Sequence, residues 1–165
     1  MKQLYIDFDG VILDTMTKSY IEIEKAGIDK TDEQAVMAYF RNVDWDILIK
    51  ETDEINDSIN EIKKICASKK FNVYILTHIN STNEMVAKIN YLHSKLPEVT
   101  IVSVPKEIPK TKVVNPSAAI LIDDYSGNIK TWQKKLGIGI KFVKELEGSD
   151  YPEITHLSEV IDMFN

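Results

Sequence analysis

The chain has 165 residues, 44% of them apolar, which is enough for one packed domain with a small insertion and too apolar for a disordered chain. Its 26 acidic side chains outnumber its 20 lysines and arginines, leaving a net charge of -6; this argues against a broad electrostatic footprint for duplex nucleic acid or an anionic membrane and points to a small partner. A single cysteine, Cys66, excludes an intrachain disulfide and fits a reducing compartment.

In chain order, the first apolar run is "LYIDF" at residues 4 to 8, a strand interrupted by Asp7 and Asp9. The interruption rules it out as a signal peptide, and no later run approaches the roughly 20 apolar residues of a membrane span, so a cytoplasmic protein is expected. Residues 16 to 51 depart from a simple strand-helix repeat. They carry a capping-box pattern at Thr31 and Gln34 with apolar Val36, Met37, Tyr39 and Phe40 behind it, which predicts a small helical insertion. Tyr39, Phe40, Arg41 and Trp45 either line a substrate pocket there or simply hold short helices together.

Beyond the insertion, Ile55, Ile59, Ile62 and Cys66 form one helical stripe, in which Cys66 reads as a buried small hydrophobe rather than a nucleophile. "NVYILT" then predicts a strand, and Ser81 with Glu84 a capping box ahead of an apolar stripe at Met85, Ile89 and Leu92. "TIVSV" and "AAILIDD" predict two further strands, Ile129, Trp132 and Leu136 another helix, and "GIGIKF" a last strand. The "GIGI" at its start lacks the third glycine of a dinucleotide fingerprint. Short Ile- and Val-rich runs alternating with helices imply an α/β fold, a doubly wound, Rossmann-like parallel sheet flanked by helices. Residues 1-15 and 52-165 would form its core, with 16-51 inserted after the first strand. The ligand site of such a sheet lies beyond the carboxyl ends of the strands, where Asp7, Thr77 and Asp123 fall.

Asp7 and Asp9 pose a physical problem, because two like charges at one strand end repel. A spacing of two brings both to the same rim while Phe8 turns into the core, and a divalent cation would relieve the repulsion. Mg²⁺ suits oxygen ligands and keeps several waters, so it needs few protein groups. Asp123 and Asp124 in "ILIDDYSGN" supply further carboxylates from another strand end. Thr77 in "ILTHIN" offers a hydroxyl for a phosphate oxygen, and "PKEIPKTKVV" offers Lys106, Lys110 and Lys112.

The order Asp-x-Asp, Thr, Lys, Asp-Asp resembles that of the haloacid dehalogenase-like (HAD) superfamily of phosphohydrolases, motif by motif across nearly the whole chain. "DFDGV" and "LIDD", each after an apolar strand, carry the resemblance, and "KT-VV" before "LIDD" is similar to the 5′(3′)-deoxyribonucleotidase branch. The resemblance implies a phosphatase working on a small phosphorylated metabolite, a nucleotide in the finer reading, and residues 16-51 as a type-one cap. It implies Asp7 as the nucleophile that becomes an aspartyl-phosphate and Asp9 as general acid and base. Mg²⁺ would be held by Asp7, the Asp9 carbonyl and Asp124, with Asp123 orienting metal-bound water. Thr77, His78 and a lysine would bind phosphate; Lys110 best fits the pattern, ahead of Lys112 and Lys106. His78 stands where that branch has serine. His93 and His156 read as surface histidines. A sugar-phosphate phosphatase and a degenerate binding module are the competing readings. A receiver domain would carry its acidic pair first, and a dehalogenase would not need Asp9.

Overall fold

The computed structural model describes residues 1-164, so Asn165, the last residue of the expected core, lies outside the described residues. Six strands form one sheet, all parallel: β1 (Lys2–Ile6), β2 (Phe71–Ile79), β3 (Thr100–Pro105), β4 (Ile120–Asp123), β5 (Ile138–Phe142) and β6 (Glu153–Ile154), in the order β3-β2-β1-β4-β5-β6. The five expected strands are all present. β6 is additional, two residues long, and too short to leave an apolar run.

Alternation along β1 divides the core between two faces. Leu4, Ile6 and Phe8 pack with Ile75, Ile120 and Ile122 on one side. Tyr5 packs with Leu76, Leu121 and Trp132 on the other. This two-sided burial is why the strands read as continuous apolar runs. Helices α1 (Thr15–Lys25), α2 (Glu33–Asn42), α3 (Trp45–Lys50), α4 (Ser58–Ser68), α5 (Thr82–Lys95), α6 (Ser126–Gln133) and α7 (Val160–Met163) flank the sheet and fill the insertion. No helix among the described residues is long and apolar enough to cross a membrane.

Helices α1 to α3 fill the chain between β1 and α4, with α1 beginning at Thr15, one residue before the expected insertion. Their stem is tied, since the amides of Asp14 and Ile55 donate to the carbonyls of Asp53 and Ile12, both at 3.0 Å. α3 is part of the main core, because Trp45, Leu48 and Ile49 pack into it, and the Trp45 amide is capped by Asn83 Oδ1 of α5 at 2.8 Å.

Local details correct several expectations. α2 is capped by Asp32, whose carboxylate accepts from the Ala35 amide at 3.1 Å, one residue after the expected Thr31. Asp29 takes up Thr31 instead, accepting from both its amide and its hydroxyl. Ser81 caps α5 as expected, but the Glu84 carboxylate receives the amide of Asn80 at 2.5 Å, so the box is shifted. Of the expected stripe Leu92 is buried, but Glu84, Ala87 and Lys88 turn inward with it while Met85 and Ile89 are half-buried. Leu136 lies past the end of α6, in a left-handed backbone and 79% exposed, so only Ile129 and Trp132 of its expected stripe face the core.

Candidate active site

The chain runs outward from β1 to β3 and returns to β4 on the other side of β1, so a crevice opens between the carboxyl ends of β1 and β4. The Asp7 amide extends the ladder to the Ile122 carbonyl at 2.9 Å, which sets Asp7 beside Asp123. Asp7, Asp123 and Asp124 each offer an oxygen, and these atoms all lie within 4.8 Å of one another. Gly10, with φ +74°, carries the turn between Asp9 and α1.

One lysine serves two of these carboxylates. Lys110, in a short 3-10 turn over Lys110–Lys112, is buried and donates to Asp7 Oδ1 and Asp123 Oδ2, both at 2.7 Å. Burial opposes its charge, but Asp123 and Asp7 outweigh that and raise its pKa. Asp123 is saturated further by the Tyr125 amide and the Asn128 side chain, both at 2.9 Å. Asp124 is different. It lines the cavity, and among the described residues no lysine, arginine or histidine nitrogen stands within 4.0 Å of its carboxylate. Burial, reinforced by Asp7, Asp123 and Asp9, pushes Asp124 up to about 8. Burial and Asp123 likewise push Asp7 up to about 7, with Lys110 working against them. Three oxygen donors with more negative charge than Lys110 can balance fit a hard divalent cation. Of the adjacent pair, Asp124 is the one with its carboxylate free to bind it.

Asp9 lies on the other side of Asp7 in a separate network. Its Oδ1 accepts from the Thr15 hydroxyl and its Oδ2 from Lys88 Nζ, both at 2.6 Å. Lys88 is fully buried and also reaches Glu84 Oε1 at 2.7 Å, Thr77 Oγ1 at 3.0 Å and the His78 carbonyl at 2.9 Å. Burial acts to lower its pKa, yet Asp9 and Glu84 hold the ammonium above its usual value. Thr15, Glu84 and Lys88 were not anticipated from sequence. The signal was a lysine on the apolar stripe of α5, three residues after Met85 and four after Glu84.

Thr77 reaches the expected strand end, but its fully buried hydroxyl accepts from Lys88 and donates to the His78 carbonyl at 3.2 Å. His78 lines the cavity with Nε2 against the Ile108 carbonyl at 2.9 Å. A carbonyl only accepts, so Nε2 carries the proton. Burial lowers the ring's pKa despite the Ile108 bond, and neutral His78 then has a lone pair at Nδ1, which is unsuited to a phosphate oxygen. Lys106 lines the cavity and Lys112 is exposed elsewhere. His93 and His156 are exposed, and Cys66 is half-buried with its thiol pushed up by burial.

The cavity above these groups measures about 510 Å³ and is bounded by Met16 and Phe40 from the insertion and by Tyr125. Trp45 lies at its floor with no exposed surface, its indole donating to the Phe40 carbonyl at 3.0 Å. Tyr39 does not line it, and Arg41 is drawn off into an exposed ion pair with Glu107. Of the four residues considered for a pocket, Phe40 lines it with part of its surface exposed.

No family model and no curated protein matches the sequence. Solved structures do match. The HAD-hydrolase YfnB from Bacillus subtilis, bound to magnesium, aligns over 99% of this chain and 98% of its own at a TM-score of 0.67 and 14% identity. A HAD-superfamily hydrolase of subfamily IA from Geobacter sulfurreducens aligns over 99% of both chains at 0.63 and 16%. A haloacid dehalogenase-like family hydrolase from Streptococcus pneumoniae aligns over 100% and 99% at 0.63 and 13%. The chain therefore has the α/β fold of HAD-superfamily hydrolases.

Proposed function

We propose that the protein is a Mg²⁺-dependent phosphohydrolase of the HAD superfamily that cleaves small phosphomonoesters through an aspartyl-phosphate on Asp7. The observation that carries this reading is the pairing of unequal carboxylates: Asp7, bound to Lys110 and beside the uncompensated Asp124, and Asp9, held apart by Lys88 and Thr15. One carboxylate is placed to attack while the other is placed to move a proton.

Asp7 attacks phosphorus through the oxygen not held by Lys110, and the ester P–O bond breaks as Asp9 gives a proton to the departing alkoxide. Asp9 then takes a proton from water as that water attacks phosphorus, and Asp7 is released as a carboxylate. Lys110 keeps Asp7 oriented and balances charge on it, while Asp123 keeps Lys110 in place. Asp7, the Asp9 carbonyl and Asp124 would hold Mg²⁺, which when bound supplies positive charge to the carboxylates and to phosphate. Asp9 separates this reading from a dehalogenase, which has no alkoxide to protonate.

The substrate is a small phosphorylated metabolite, sized by the cavity and covered by α1 and α2 acting as a cap. A nucleoside monophosphate is the second reading, favoured by the aromatic side chains of Phe40 and Tyr125 in the cavity wall. A phosphate-release screen over nucleotides, sugar phosphates, phosphoamino acids and p-nitrophenyl phosphate, with Mg²⁺ and with EDTA, tests both. Mg²⁺-dependent release is expected. Release undiminished after verified metal removal, or none from any ester, would overturn the assignment.

A further inference from the structure

We infer that Lys88 is the positioning residue for Asp9, with Lys88 and Glu84 fixing one carboxylate oxygen so that the other is left to carry the proton. The inference rests on the phosphohydrolase reading. A lysine buried to 0% exposure is costly to place unless it is paired, and here the carboxylates of Asp9 and Glu84, with the rings of Phe8 and Trp45 each 5.1 Å from its ammonium, offset that cost. Of these partners, Asp9 is the one that the proposed reaction uses.

The two oxygens of Asp9 have partners of different kinds. Oδ2 meets Lys88 Nζ at 2.6 Å, and that ammonium is gripped by Glu84 one helical turn earlier and by the Thr77 hydroxyl and His78 carbonyl at the end of β2. Glu84 is itself fixed by the backbone and side chain of Asn80 at 2.5 and 3.0 Å. An ammonium has no lone pair to accept a proton, so Oδ2 is an anchor. Among the described residues Oδ1 meets only the Thr15 hydroxyl, which can turn about its C–O bond. The geometry makes Oδ1 the atom that protonates the leaving oxygen and later receives the proton of water. It also ties Asp9 to α5, hence to α3 through Asn83 and Trp45.

The test is the double variant Lys88→Met with Glu84→Gln, which removes both charges together, compared with wild type on phenyl phosphate and p-nitrophenyl phosphate with Mg²⁺. Phenolate needs a proton on leaving far more than p-nitrophenolate, and kcat/KM reports the steps up to transfer onto Asp7. The value for phenyl phosphate is expected to fall at least about tenfold further than that for p-nitrophenyl phosphate, part of the roughly 10² to 10⁴ that a positioned acid contributes. Thermal unfolding without metal confirms that the variant is folded, and if it is not, Lys88→Gln with Glu84→Gln, which also removes both charges but keeps hydrogen-bonding groups, takes its place. Equal losses on both esters, or no loss, in a folded variant would overturn the inference and leave Lys88 a structural ion pair. A wild type that releases phosphate from neither ester overturns the phosphohydrolase reading itself, and this inference with it.

Discussion

The Asp124 carboxylate occupies the space beside Gly10 that a side chain would need, for a β-carbon at residue 10 would stand 2.2 Å from Asp124 Oδ2. Gly10 also holds φ at +74°, a conformation open to glycine and strained for other residues. Gly10→Ala must therefore displace Asp124 or distort the turn. We expect a stability loss of about 1 to 3 kcal/mol and Mg²⁺ affinity weakened at least about tenfold, read by denaturant unfolding and titration calorimetry. Unchanged Mg²⁺ affinity in Asp124→Asn, measured alongside, would remove Asp124 from the proposed ligand set.

The raised carboxylates make the metal-free protein sensitive to pH in an unusual direction. Asp7 is pushed up to about 7 and Asp124 up to about 8, from an ordinary value of 3.8. Between pH 4 and those values the folded state binds more protons than the unfolded state, so stability falls as pH rises. The slope approaches about 1.4 kcal/mol per pH unit for each proton held. Thermal unfolding in EDTA should show the decline from pH 5 to pH 8. Asp124→Asn should flatten it, and Mg²⁺ should restore stability most at pH 8. A metal-free protein that grows more stable over that range would contradict the charge arrangement.

Phe40 and Trp45 stack with ring centroids 6.2 Å apart, yet they face different surroundings. Trp45 is fully buried, so Trp45→Ala should cost about 3 to 5 kcal/mol and lower all activities in parallel. Phe40 lines the cavity. Phe40→Ala should lower kcat/KM for a nucleoside monophosphate roughly 5- to 150-fold, if a base stacks on it, and p-nitrophenyl phosphate hydrolysis much less. Equal effects on both esters would favour a sugar-phosphate or similar substrate.

The sheet was legible because a parallel strand covered on both faces must carry a largely apolar run, and each of β1 to β5 contains one, with polar residues mainly towards its ends. β6 was not, since Glu153 and Ile154 alone carry no pattern. The cluster of Asp7, Asp123, Asp124 and Lys110 could be read because strand ends in such a sheet converge whatever the intervening chain does. The network behind Asp9 escaped because it depends on which way α5 is rotated. The apolar pattern pointed to Met85 and Ile89, whereas packing turned Glu84, Ala87 and Lys88 inward. Trp45 shows the same limit, as an aromatic in a short helix could face either substrate or core, and only the Asn83 cap and the Phe40 carbonyl decide for the core.

The central claim is that Asp7 takes the phosphoryl group while Asp9 moves the proton. Asp9→Asn should slow turnover by about 10² to 10⁴, leaving Asp7 its nucleophilic oxygen and impairing attack by water. Acid quenching of this variant during turnover of p-nitrophenyl phosphate, followed by peptide mass spectrometry, reads the outcome directly. The account predicts a phosphoryl group on the peptide bearing Asp7, absent when Asp7→Asn is added. Phosphate trapped on another residue, or on none while the variant still turns over, would contradict it.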